Sequence, residues 1–321
     1  MSSEIDPSSQ SRTILWCVPR SASTSLTKCL SSIEESEIWL EPYCFCHIAM
    51  LECGHHFGAK LPTDREGNEE IYQKAADKLT EITMTRFSTD YISYASVKRF
   101  LERSTSQHVF VKDIAYGCDD GIRFLPEGFK HTFLIRHPWR VLPSYRRAIY
   151  RVKSLSDEIN KDIVTEDKFD LKYDNRYCPD GYFFWELYKI WKHVCTHLDS
   201  QPVVIDGDDL LRNPAEILPK YCRAVGLPYK ESMLQWEGSL RPMESWKVPS
   251  AQHLISYESF YQRTIDSTKF IPPGAMPSRS DLTPDVIRCA DEVMELYKEM
   301  NAHKIRLDQP NNTIIDESKF M

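Results

Sequence analysis

The chain has 321 residues, of which 41% are hydrophobic and 27% charged, and a formal net charge of -7. That length buries a sizeable core, and the balance is that of a globular chain rather than a disordered one. An acidic chain lacks the basic face that sequence-independent nucleic-acid binding needs, so no nucleic-acid partner is expected; a local cationic pocket for an anionic nucleotide is still allowed.

The first twelve residues are polar and hold no apolar core of the kind a secretory signal needs. They are expected to form a flexible tail, 1–12, ahead of one domain over 13–321. No run of about 18 apolar residues occurs, so no membrane span is expected. Ten cysteines are scattered without the spacing of a disulfide scaffold and are expected to be reduced thiols in a cytoplasmic enzyme.

Thr13–Val18 is an apolar run that predicts a buried strand ending at Pro19. Ser21, Ala22, Ser23, Thr24 and Ser25 follow, and then Leu26, Cys29, Leu30 and Ile33 recur at helical spacing. The unit is therefore strand, tight turn, helix. Glu37–Leu40 predicts a second strand. Cys53–Asn68, with Gly54, Gly58, Pro62 and Gly67, reads as an irregular loop. Glu69–Met84 and Tyr91–Glu102 predict helices, and His108–Lys112 and His131–Arg136 predict strands.

A helix is predicted over Pro143–Lys153, with Pro143 in its first turn, because a proline in mid-helix costs about 3 kcal/mol. Gly181–His197, Pro214–Val225 and Pro284–Met300 are further helices, and Pro202–Ile205 is a further strand. Ser154–Pro179 and Met243–Arg279 are polar and irregular, and read as lids or substrate loops. Strands alternating with helices predict an α/β fold, a central parallel sheet covered by helices on both faces.

Pro19-Arg20-Ser21-Ala22-Ser23-Thr24-Ser25 holds the parts of an anion cradle. A strand turning into a helix aims backbone N–H groups and the positive end of the helix dipole at one place. Small side chains admit an anion to the backbone, three hydroxyls add donors, and Arg20 adds a fixed cation. A plain serine-rich helix cap explains the local composition equally well. The pattern is not a Walker loop, since no glycine occurs between Arg12 and Gly54.

Arg136 ends a later strand, on the same sheet edge if the sheet is parallel, and Ser144 lies eight residues on. In helical register Arg140, Ser144, Arg147 and Arg151 share one face, while Leu142, Tyr145 and Ile149 share another. The alternative is a solvated basic helix.

Together the two motifs resemble those of the PAPS-dependent sulfotransferase family (PAPS is 3′-phosphoadenosine 5′-phosphosulfate). The family pattern is a strand followed by P-[KR]-[ST]-[GAS]-[ST]-[ST], then a later strand ending in R-x-P with a serine eight residues after the arginine. Val109–Asp113 resembles the family's lysine-bearing strand, and Val203–Pro214 a downstream strand and acidic segment. The resemblance covers residues 13 to 230 or so. It implies a P-loop-nucleotide-hydrolase-like three-layer sandwich. It also implies that Arg20 to Ser25 bind the 5′-phosphosulfate of PAPS, and that Arg136 and Ser144 bind the 3′-phosphate, with the nucleotide leaving as 3′,5′-ADP (PAP).

Two departures stand out. Ala22 replaces the usual glycine, so the turn is expected to avoid positive φ. Ile114 stands where the cytosolic branch of the family carries its base histidine.

Sulfuryl transfer, like phosphoryl transfer, calls for alignment, cations on the leaving oxygen and a base. Arg20 is the expected cation and Lys112 a second. Glu41, spaced from Arg20 much as in tyrosine and Golgi-type members, is the expected base, with Asp113 as the fallback.

Cys44, Cys46, His47, Cys53, His55 and His56 have some flavour of a zinc site but not a standard spacing, and no metal is expected. Asp206, Asp208 and Asp209 suggest Mg²⁺ or helix caps. The aromatic stripe from Tyr182 to Trp191 reads as core with some acceptor lining. Asn311-Asn312-Thr313 is a formal glycosylation sequon.

The expected acceptor is a small molecule bearing a hydroxyl or amine, and a homodimer is left open. A nucleotide-dependent small-molecule kinase and a catalytically degenerate nucleotide-binding protein are the alternatives.

Overall fold

The computed structural model describes residues 10–308 apart from 84, 119–121, 156–164 and 249–257. Five parallel strands form one sheet: β1 (Ser11–Cys17), β2 (Ser36–Leu40), β3 (His108–Ile114), β4 (Lys130–Ile135) and β5 (Val204–Asp206), in the order β2-β3-β1-β4-β5. β1 starts two residues early, inside the expected tail, because Ser11 pairs with His108 of β3. The first nine residues and the sequon lie outside the described residues.

β1 is central and buried on both faces, which is why its sequence is a continuous apolar run. Ile14 to Val18 are all 0% exposed. Alternation with period two sends Ile14, Trp16 and Val18 to one face, and Leu15 and Cys17 to the other.

The first face is covered by α2 (Pro42–Phe57), α4 (Tyr94–Arg103), α5 (Pro138–Leu155), α6 (Phe184–His197) and α10 (Pro284–Ala302). The second is covered by α1 (Ser23–Leu30), α7 (Gly207–Arg212), α8 (Pro214–Val225) and α9 (Glu258–Asp266). The result is a three-layer α/β sandwich. α3 (Glu69–Thr83) packs outside α2 through a smaller apolar cluster.

Three local expectations are corrected. The helix α2 runs to Phe57, through Cys53 and Gly54 of the expected loop, and stops at Gly58 with φ 61. Burial of Ala49 and Cys53 outweighs the roughly 1 kcal/mol that a mid-helix glycine costs.

α5 starts at Pro138, so Pro143 is inside it rather than in its first turn. Val141 and Leu142, both 0% exposed, anchor that turn against the sheet despite the lost main-chain donor. Met243–Arg279 is not uniformly irregular. It holds α9, and Lys247 pairs with the β2 edge, its N–H donating to Ile38 O at 2.7 Å.

The chain passes from β1 to β2 on one side of the sheet and from β3 to β4 across β1. The strand order therefore switches at the carboxyl ends of β1 and β4, where open α/β sheets form their crevices.

Candidate functional site

Arg20 (φ 64) and Ala22 (φ 75) both take the left-handed conformation in the turn after β1. The expectation that Ala22 avoids positive φ is thus corrected. An L-residue there costs about 1–2 kcal/mol, which five consecutive fully buried residues of β1 offset.

Ser21 does not face the crevice. It is 0% exposed, and its hydroxyl donates back to Val18 O at 2.7 Å. Gly207 presses on this turn: a Cβ there would lie 2.3 Å from Ser21 O, so only glycine fits. Ser23, Thr24 and Ser25 open α1, and their amides are the first-turn donors that a helix leaves without an internal acceptor.

β1 and β4 run level, with Cys17 beside Leu134, so Arg20 and Arg136 emerge at one edge. Arg20 Nε donates to Ser144 Oγ at 3.1 Å, and Arg136 Nη1 donates to Arg20 O at 3.0 Å. One cleft is lined by Arg20, Ala22 to Ser25, Arg136 and Ser144. Its far wall, including Phe260, Arg263, Thr264 and Lys269, belongs to the segment read as a lid.

That wall is fastened to the turn after β1 and to α1. Arg20 Nη1 donates to Phe260 O at 2.7 Å. Lys28 Nζ caps the carboxyl end of α9 on Thr264 O (3.0 Å) and Ile265 O (2.8 Å).

The cleft is electrostatically unbalanced. Burial pushes the Arg20 pKa down to about 10; Tyr261 opposes this, and the cations Arg263, Arg136 and Arg147 add to it. Arg20 has no carboxylate ion pair among the described residues. A desolvated cation among cations is complemented by an anion.

Arg136 is aimed by Asp208, whose carboxylate accepts from Arg136 Nε at 2.8 Å and Arg140 Nε at 2.6 Å. Arg140 therefore serves the scaffold rather than the cleft. Asp206 is a helix cap, accepting from the amides of Asp208 and Asp209.

At the end of β2, outside the residues that line this cleft, Glu41 (φ 56) precedes α2, and its amide donates to Lys112 O at 2.7 Å. The Lys112 ammonium donates to Glu41 Oε1, and the Tyr261 hydroxyl donates to Oε2 at 3.2 Å. Burial disfavours the Lys112 charge, yet Glu41 beside it holds its pKa above the ordinary lysine value.

Asp113 is differently employed. Its two oxygens accept from the amides of Tyr43 (2.7 Å), Cys44 (3.1 Å) and Ile114 (2.8 Å), which makes it a buried cap of α2 rather than a group facing the cleft. Cys44, Cys46 and Cys53 are buried on the core side of α2. No group of three or more metal-ligating side chains occurs among the described residues. No described helix is long and apolar enough to cross a membrane.

The wall residue Phe260 and its neighbour Tyr261 carried no sequence signal, and Gly207 and Asp208 had only the general likeness of their segment. That segment is the one the comparisons pick out, since residues 196–303 match a family described as sulfotransferase domain. In that segment the chain is similar to sulfotransferase domains.

Sulfotransferase ppzF of Metarhizium majus (strain ARSEF 297) is 26% identical over 245 residues, covering 66% of each chain. The branched-chain-amino-acid aminotransferase-like protein 2 of Arabidopsis thaliana is 23% identical over 291 residues, covering 90% of this chain. The chain spans 41% of that protein and 37% of its like-named Arabidopsis relative, protein 1. Among solved structures, the sulfotransferase domain of the Synechococcus PCC 7002 olefin synthase is similar, with a TM-score of 0.43 and 15% identity. The match covers 96% of this chain and 99% of that one.

Proposed function

We propose that this chain is a sulfotransferase that moves a sulfuryl group from PAPS to a hydroxyl or amine of a small-molecule acceptor. The observation that carries the reading is the Arg20 Nε hydrogen bond to Ser144 Oγ. It brings two motifs 124 residues apart in sequence into one cationic cleft.

In this reading the first-turn amides and hydroxyls of Ser23, Thr24 and Ser25, with Arg20, hold the 5′-phosphosulfate. Arg136 and Ser144 hold the 3′-phosphate. Ser21, whose hydroxyl is turned inward, contributes through its place in the turn rather than its side chain.

Glu41 takes the proton from the acceptor as its oxygen or nitrogen attacks sulfur. Arg20 neutralises charge on the departing phosphate oxygen, and Lys112, paired with Glu41, holds that carboxylate in place. The scheme asks for no metal, because the charge is met by these cations.

Titration calorimetry with 3′,5′-ADP and with ATP tests the donor. Tight binding of 3′,5′-ADP and much weaker binding of ATP are expected. Equal affinities would remove any reason to assign Arg136 and Ser144 to a 3′-phosphate, and would favour a kinase instead.

A further inference from the structure

Glu41 has both carboxylate oxygens taken. Lys112 donates to one, and the Tyr261 phenol donates to the other at 3.2 Å. A general base must be within hydrogen-bond reach of the proton it removes. The only side-chain hydroxyl that reaches the Glu41 carboxylate, among the described residues, is the chain's own.

Tyr261 is held in that place. It is 5% exposed, and α9, which carries it, is tied at one end by Arg20 on Phe260 O and at the other by Lys28 on Thr264 O and Ile265 O. The phenol thus touches the carboxylate assigned to the proton, one residue along α9 from the carbonyl that holds the guanidinium assigned to the leaving phosphate.

We infer that Tyr261 is an internal acceptor: with a sulfuryl donor in the cleft and no external acceptor, its phenol becomes O-sulfated. The inference rests on the reading of the cleft as a PAPS site. Glu41 Oε2 receives the phenolic proton, and the phenolate oxygen forms a bond to sulfur. The bond between sulfur and the bridging 5′-phosphate oxygen breaks, and 3′,5′-ADP leaves with that electron pair. Nothing is oxidised or reduced. An external acceptor competes for the same carboxylate oxygen, so it suppresses the modification. The sulfate ester, once formed, sets an anion against Glu41 and blocks the seat.

The test incubates the whole chain with PAPS carrying radioactive sulfur and no added acceptor. The protein is then denatured and counted, and the peptide containing residue 261 is mapped by fragmentation. Label approaching one sulfur per chain at Tyr261 is expected. It should fall to background in Tyr261→Phe, which keeps the ring and the packing of α9.

Binding of 3′,5′-ADP is measured on the same samples. If both chains bind it and residue 261 stays unlabelled, or the label lies elsewhere, the inference is overturned and the donor-site reading stands. If neither binds it, the donor-site reading falls and takes the inference with it.

Discussion

At the Arg20 turn positive charge is left over, whereas around Glu41, at the end of β2, it is cancelled. Arg20 is buried beside Arg136 and Arg263 with no carboxylate of its own among the described residues, while Lys112 and Glu41 neutralise each other and Tyr261 closes over them. The same sheet edge thus offers a site prepared to take anions and, beside it, a neutral and covered one. In the proposed scheme Glu41 removes the proton while Arg20 grips the nucleotide, so base removal and loss of grip should be separable by substitution.

The largest expected effect is on turnover. Glu41→Gln should lower sulfuryl transfer about 10²–10⁴-fold, the usual contribution of a positioned base, with 3′,5′-ADP affinity unchanged. Transfer from labelled PAPS to a panel of small alcohols, phenols and amines measures the first, and calorimetry the second. A parallel fall in nucleotide affinity would erase the distinction between the two sites.

Lys112→Met comes next. It leaves a buried carboxylate without its cation, and should cost about 3–5 kcal/mol in denaturant unfolding. Much of that should return in the Lys112→Met/Glu41→Gln double variant.

Arg20→Ala is the converse case. Losing a charged hydrogen-bonding partner should weaken 3′,5′-ADP binding by about 1.5–3 kcal/mol. Folding stability should barely fall, because an unbalanced cation is removed. A large loss of stability would mean that Arg20 chiefly holds α9 through Phe260 O.

The smallest effect sharpens the picture of the turn itself. Ala22→Gly should raise stability by about 0.5–1 kcal/mol, since relief at φ 75 exceeds the added freedom of the unfolded chain. A decrease in the unfolding midpoint would contradict the left-handed assignment.

The sheet, and the meeting of the Arg20 turn with Arg136 and Ser144, were legible because their signals are local. An unbroken apolar run marks a doubly buried strand, and the Arg136–Ser144 spacing lies within a single loop and helix. What escaped was set by tertiary packing. Ala22 was expected to avoid the conformation that buried neighbours impose on it, and Pro143 was expected to begin a helix that packing starts five residues earlier.

Ser21 looked like one more donor until its hydroxyl was seen turned to Val18. Asp113 looked available until the α2 amides were seen to occupy it. Phe260 and Tyr261 reach Arg20 and Glu41 across more than 200 residues, and no periodicity or spacing encodes such a meeting. Asp208 was weighed as a cap or metal ligand, because nothing in its segment reports that two arginines from another helix and loop converge on it.

Gly207 sets a tolerance for the whole assembly. The carbonyl of Ser21 comes so near that even one methyl group would wedge the β1 and β5 turns apart. The spacing between the cationic side chains is therefore gauged by an atom that is missing. A substitution as slight as Gly207→Ala, remote from any reacting group, would be read out as a widened and weakened grip on small dianions.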